Sequence, residues 1–132
     1  MVDYKLDDLL DIMKRLRGEN GCPWDRAQTH ASIRANVLEE AGEVVEAIDS
    51  GDTAALVEEL GDLLLQVVFH AQIAAESGSF VFADVVDGIC MKLIERHPHV
   101  FGAERADTPE QALAVWNAVK RRSKVPQQNA LP

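Results

Sequence analysis

Leu38-Glu39-Glu40-Ala41-Gly42-Glu43, then the turn signal Ser50-Gly51-Asp52, then Glu58-Glu59-Leu60-Gly61-Asp62 form the stretch that decides the fold. Residues three apart on a helix share a face, so Glu40 projects with Glu43 and Glu59 with Asp62. Before the turn, Ile33, Val37, Leu38, Ala41, Val44, Val45 and Ile48 recur at helical spacing. After it, Leu56, Leu60, Leu63, Leu64, Val67, Val68 and Ala71 do the same. Ser, Gly and Asp together make a tight reversal. The segment therefore reads as two antiparallel helices, from about Thr29 to Asp49 and from about Thr53 to Glu76. Glu43 precedes the turn centre by about eight residues and Glu59 follows it by about eight, so at about 1.5 Å rise per residue they stand at one height. Glu40 and Asp62 face each other one turn further on. The register brings four carboxylates to one locus.

Acids gather along a helix seam at a large desolvation and repulsion cost unless a cation neutralises them. An all-oxygen cluster suits Mg²⁺ or Mn²⁺ better than zinc, and Mg²⁺ held by carboxylates commonly serves substrate phosphates. The competing reading is a solvated acidic face. Gly42 and Gly61 lie beside the acids inside helices, at about 1 kcal/mol each relative to Ala. Close helix approach or ligand access would justify them. Lys92 and Arg96 share a face at four-residue spacing, as do Trp116 and Lys120. Cations and an aromatic beside a metal would suit a nucleotide: the bases hold phosphates and the indole stacks or covers. Taken singly, the bases read as a solvated face and Trp116 as a core anchor.

Working outward, Leu6, Leu9, Leu10, Met13 and Leu16 predict a helix over about 4–17, stopped at Gly18. A loop with Gly21, Pro23 and Trp24 follows to Gln28; Trp24 is expected to anchor it onto the bundle as a lid. Val85, Val86, Ile89, Leu93 and Ile94 predict a fourth helix over about 82–96, broken at His97-Pro98-His99, where capping and packing outweigh a metal role for the histidines. Thr108-Pro109-Glu110 starts a fifth, fading near Lys124. No strand and no repeat is evident. The expected architecture is all-α, a bundle of about five helices. Its four-helix core needs completion within the chain or by a second subunit, because a hairpin cannot bury both sides of its apolar helices. One domain over 1–124 and a disordered tail or linker start over 125–132 are expected.

The 132 residues are 47% apolar and only 5% aromatic, which favours packed helices over disorder or a β-sandwich. With 22 acids against 13 bases the net charge is −9, which disfavours binding to nucleic acid. Cys22 and Cys90 lack the spacing of a disulfide framework or zinc site and read as reduced thiols, pointing to the cytoplasm. Asp3, Lys5, Asp7, Asp8 and Asp11 leave no secretory apolar region, and the run near Leu63–Phe69 is too short for a membrane span.

Gly21-Cys22-Pro23-Trp24-Asp25, the two acidic motifs, Arg96-His97-Pro98-His99-Val100-Phe101 and the stretch Trp116 to Lys120 together resemble the MazG family of nucleoside triphosphate pyrophosphohydrolases, within the all-α NTP pyrophosphatase superfamily. The resemblance covers about residues 6–121. It implies Mg²⁺-dependent hydrolysis of nucleoside triphosphates to the monophosphate and pyrophosphate. Glu40, Glu43, Glu59 and Asp62 match metal ligands and Glu39 the acid that activates water. Lys92, Arg96 and Lys120 match phosphate-handling positions and Trp116 an aromatic beside the nucleotide. A homodimer is implied as well. Some family domains carry a Lys where this chain has Ala55, and many hold two such domains in tandem. Two other classes of reading stand beside this one. The first is a base-selective dUTP or dCTP diphosphatase or a phosphoribosyl-ATP pyrophosphohydrolase of the same superfamily. The second is a non-catalytic helical adaptor that binds nucleotide or a protein partner.

Overall fold

In the computed structural model, which describes residues 3–123, every regular element among the described residues is a helix. They are α1 (Leu6–Leu16), α2 (Pro23–Ala27), α3 (Arg34–Ser50), α4 (Thr53–Glu76), α5 (Phe82–Arg96), α6 (Pro98–Phe101) and α7 (Pro109–Ser123). The all-α expectation holds. Two short helices, α2 and α6, add to the five expected; each begins at a proline whose missing N–H costs nothing in a first turn. The expected tail over 125–132 lies outside the described residues.

The chain divides into two compact units, residues 1–82 and 83–132. In the first, α3 and α4 pack along each other as the hairpin and α1 lies on α4. Gly51 takes the left-handed conformation that closes α3 (φ 69°), and the Asp52 carboxylate caps α4 by accepting from the Ala55 N–H at 3.1 Å. Met13, Ile33, Val68 and Phe69 form the buried core, with Leu9, Leu10, Leu65, Ile73 and Phe82 around it.

The start of α3 corrects the sequence expectation: the helix begins at Arg34 rather than Thr29. Thr29 and Ser32 exchange side-chain bonds with each other's backbone N–H, at 2.8 and 3.1 Å, which holds a separate turn there. Short hydroxyl side chains compete in this way with the helix ladder. The loop before it is fastened by Arg17. Its guanidinium donates to the Asp25 and Gln28 carbonyls (2.6 and 2.9 Å) and pairs with both oxygens of Glu76 (2.9 and 2.7 Å). Trp24 does not anchor that loop: it is 59% exposed. Gly21 is required by close approach instead, since a Cβ there would meet the Leu16 carbonyl oxygen at 2.2 Å.

Many apolar residues of the hairpin face outward. Leu38 is 79%, Ile48 59% and Leu60 48% exposed. Leu64 and Val67, expected inside, are also exposed. In the second unit, α6 packs on α7, Val119 is buried and α5 has no buried residue.

Candidate functional site

The hairpin places Glu40 and Glu43 of α3 against Glu59 and Asp62 of α4. Each offers a carboxylate oxygen, and the four atoms lie within 4.8 Å of one another. All four residues are half-buried. The constant helical rise on either side of a short turn produces this convergence. One oxygen of Glu40 and one of Glu59 are buried without a hydrogen-bond partner. Buried acceptors are normally satisfied, so these two mark a place where a cation or a proton belongs.

The electrostatics agree. Glu59 is pushed up to about 7, first by its carboxyl contact with Glu43, then by burial and the charges of Glu43, Asp62 and Glu58. Glu40 is raised too, chiefly by burial, then by Glu43, Asp62 and Glu39. Glu39 stands outside the cluster, exposed to solvent, yet its charge reaches Glu40. The donor set is all oxygen and anionic, which fits a hard divalent cation. Gly42 and Gly61 are not demanded by packing within the chain, because a Cβ at either meets nothing within 4 Å.

Lys92, Arg96, Trp116 and Lys120 belong to the second unit. There the Arg96 guanidinium lies 5.3 Å from the centre of the Trp116 ring, a cation–π arrangement. His97 meets the same ring edge-on at 5.1 Å and points Nδ1 at the Leu93 carbonyl at 2.5 Å, the capping and packing expected of it. Trp116 is half-buried, and Lys92 and Lys120 are exposed on α5 and α7. Arg17 and the contact between His30 and His70 escape a reading of the sequence, because their partners lie about 8 to 59 positions away.

The sequence profile of the MazG nucleotide pyrophosphohydrolase domain matches residues 28–101. The chain is 51% identical over 117 residues to the nucleoside triphosphate pyrophosphohydrolase of Escherichia coli K12, covering 88% of this chain and 44% of that protein. It is 48% identical over 118 residues to the nucleoside triphosphate pyrophosphohydrolase/pyrophosphatase MazG of Thermotoga maritima, covering 89% and 45%. An uncharacterised Bacillus subtilis protein, YabN, is 46% identical over 128 residues, 97% of this chain and 26% of that one. The chain thus spans less than half the length of these relatives. The crystal structure of a mazG-related protein from Thermotoga maritima superposes with a TM-score of 0.72 at 27% identity, over 88% of this chain and 99% of that one. Among the described residues, no helix is long and apolar enough to cross a membrane.

Proposed function

The chain belongs to the MazG nucleotide pyrophosphohydrolase domain family, and from that premise we propose that it hydrolyses nucleoside triphosphates to the monophosphate and pyrophosphate with Mg²⁺, or Mn²⁺ in its place. The observation that carries the reading is the four-carboxylate cluster with two buried, partnerless oxygens. Glu40, Glu43, Glu59 and Asp62 would hold the cation. When bound, it supplies Lewis acidity: it neutralises phosphate charge and lowers the pKa of the attacking water.

The chain's own residues divide the remaining work. The water oxygen bonds to the α-phosphorus, the bond to the bridging oxygen of the β-phosphate breaks, and pyrophosphate leaves. Glu39, exposed and outside the cluster, takes the water proton on its carboxylate as general base. In the second unit, Lys92, Arg96 and Lys120 are assigned to the phosphates, where positive charge offsets that on the leaving group. Trp116, already stacked with Arg96, is assigned to the base. The family profile runs through both compact units, which supports a single functional domain over 1–124. The outward apolar face of the hairpin, with Leu38, Ile48 and Leu60 uncovered, supports a homodimer as the working form.

The test is a panel of ribo- and deoxyribonucleoside triphosphates with Mg²⁺, resolving pyrophosphate from orthophosphate. Pyrophosphate release is expected. In Glu43→Gln it should fall by about a hundredfold or more, since even changes behind metal ligands cost about 10–100-fold. Glu39→Gln should lose turnover while keeping cation affinity. Release from dUTP or dCTP alone would move the assignment to a base-selective diphosphatase. No release from any triphosphate would leave the adaptor reading, to which Ala55 in place of a family Lys gives a specific ground.

A further inference from the structure

His30 and His70, 40 positions apart, meet with Nδ1 to Nδ1 at 2.7 Å. Their rings are parallel, 5° between planes and 5.0 Å between centres. His30 sits in the turn over 28–33, and His70 is on α4 beside the buried Phe69. Both Nε2 atoms are buried without a partner. A nitrogen–nitrogen hydrogen bond needs one donor and one acceptor, so the bridge holds one proton.

We propose that His30 and His70 form a proton-sharing clamp that fastens the 28–33 turn, and with it the start of α3, to α4, and that opens on acidification. The neutral pair carries Nδ1–H on one ring and a bare Nδ1 on the other. A first added proton can enter only at the donor ring's buried Nε2, which has no acceptor. A second must take the accepting Nδ1, which ends the bond and sets two cations in contact. The released turn exposes both rings to water, where each accepts its proton freely. Burial, and then His30, hold His70 below the ordinary histidine range, so the closed state takes up fewer protons than the open one.

The charged groups on the elements packed here include Lys14 on α1, Arg17 at its C-cap, Asp25 on α2, Arg34 on α3 and Glu76 on α4, and the charge that acts on His70 is that of His30. Arg17 is neutralised by Glu76, whose carboxyl that guanidinium holds below the usual range. That pair therefore stays ionised near neutrality and keeps its grip on the Gln28 carbonyl. The rest of the turn is held by the His30 bridge and by Ile33, buried in the core. The clamp also positions the helix that carries Glu40 and Glu43, since α3 begins one residue after the buried Ile33.

The test is amide hydrogen exchange on the intact chain between pH 7.5 and 5.5, corrected for intrinsic rates, with imidazole nitrogen NMR over the same range. Protection at Ser32, Ile33 and Asn36 should fall at least about tenfold, and up to about a hundredfold per pH unit where two protons enter on opening. Protection at Ala74 in α4 should not follow. In His30→Gln, whose amide donates or accepts at any pH, that fall should disappear; His70→Gln is the second variant should the first fail to fold. Glu40 and Glu59 titrate alike in parent and variant, so their effect cancels. The NMR should show one ring titrating below the other in a coupled pair. Parallel loss of protection in parent and variant, or two rings titrating independently near 6.5, would overturn the clamp.

Discussion

Cation uptake by the hairpin should expel protons, and the amount can be worked from the carboxylates. Glu59 sits at about 7, so at pH 7 it carries about half a proton, and a cation requires it bare. Glu40, also raised, can only add to that. Titrating Mg²⁺ or Mn²⁺ into the protein at pH 7 should therefore release about half a proton or more per site. At pH 6 the release should approach or exceed about one, and above about pH 8.5 it should vanish. Calorimetry in two buffers of different ionisation enthalpy reads the number directly. The sign for stability follows from the same carboxyls. Their folded pKa lies above the unfolded value of 4.5, so the folded state binds more protons through that window. The contribution of these two carboxyls to the stability of the cation-free protein should fall as pH rises from about 4.5 through about 7, and saturating cation should remove that fall. Glu43→Gln takes away the largest cause acting on Glu59. Glu59 should then return toward 4.5, and the cation-free variant should be more stable than the parent at pH 8. Cation binding at pH 7 with no proton release would refute the reasoning.

Arg17→Met should cost about 3 kcal/mol, or about 10 °C in melting temperature, because a guanidinium only 8% exposed loses a two-pronged carboxylate partner and two carbonyls. Lys5→Ala, which breaks the exposed pair with Asp3, should stay within about 0.5 kcal/mol when both variants are unfolded in urea. Gly61→Ala should stabilise the cation-free chain by up to about 1 kcal/mol, since its Cβ meets nothing; a loss of activity with that gain would assign the glycine to ligand or partner access. Gly21→Ala should cost about 2 kcal/mol or more, because the Leu16 carbonyl occupies the space.

The sequence was most legible where structure is local. The bounds of α4 and α5 match those read from apolar spacing and turn residues, and the register of the acids across Gly51 follows from a constant rise per residue. Legibility failed where side-chain hydrogen bonds, not periodicity, decide. The start of α3 moved to Arg34 because Thr29 and Ser32 satisfy each other. Trp24 stayed exposed because Arg17, not the indole, fastens its loop. The hairpin's apolar pattern could not say which of its leucines this chain covers, since periodicity marks a face and not the partner for it.

The five longer helices, apart from the start of α3, the hairpin and the meeting of four carboxylates were thus determined by sequence alone, because each depends on spacing along one chain segment. The protonation of Glu59, the Arg17 fastening and the pairing of His30 with His70 were decided only by tertiary structure. Each depends on desolvation or on a donor brought from elsewhere in the chain, and neither leaves a period in the sequence.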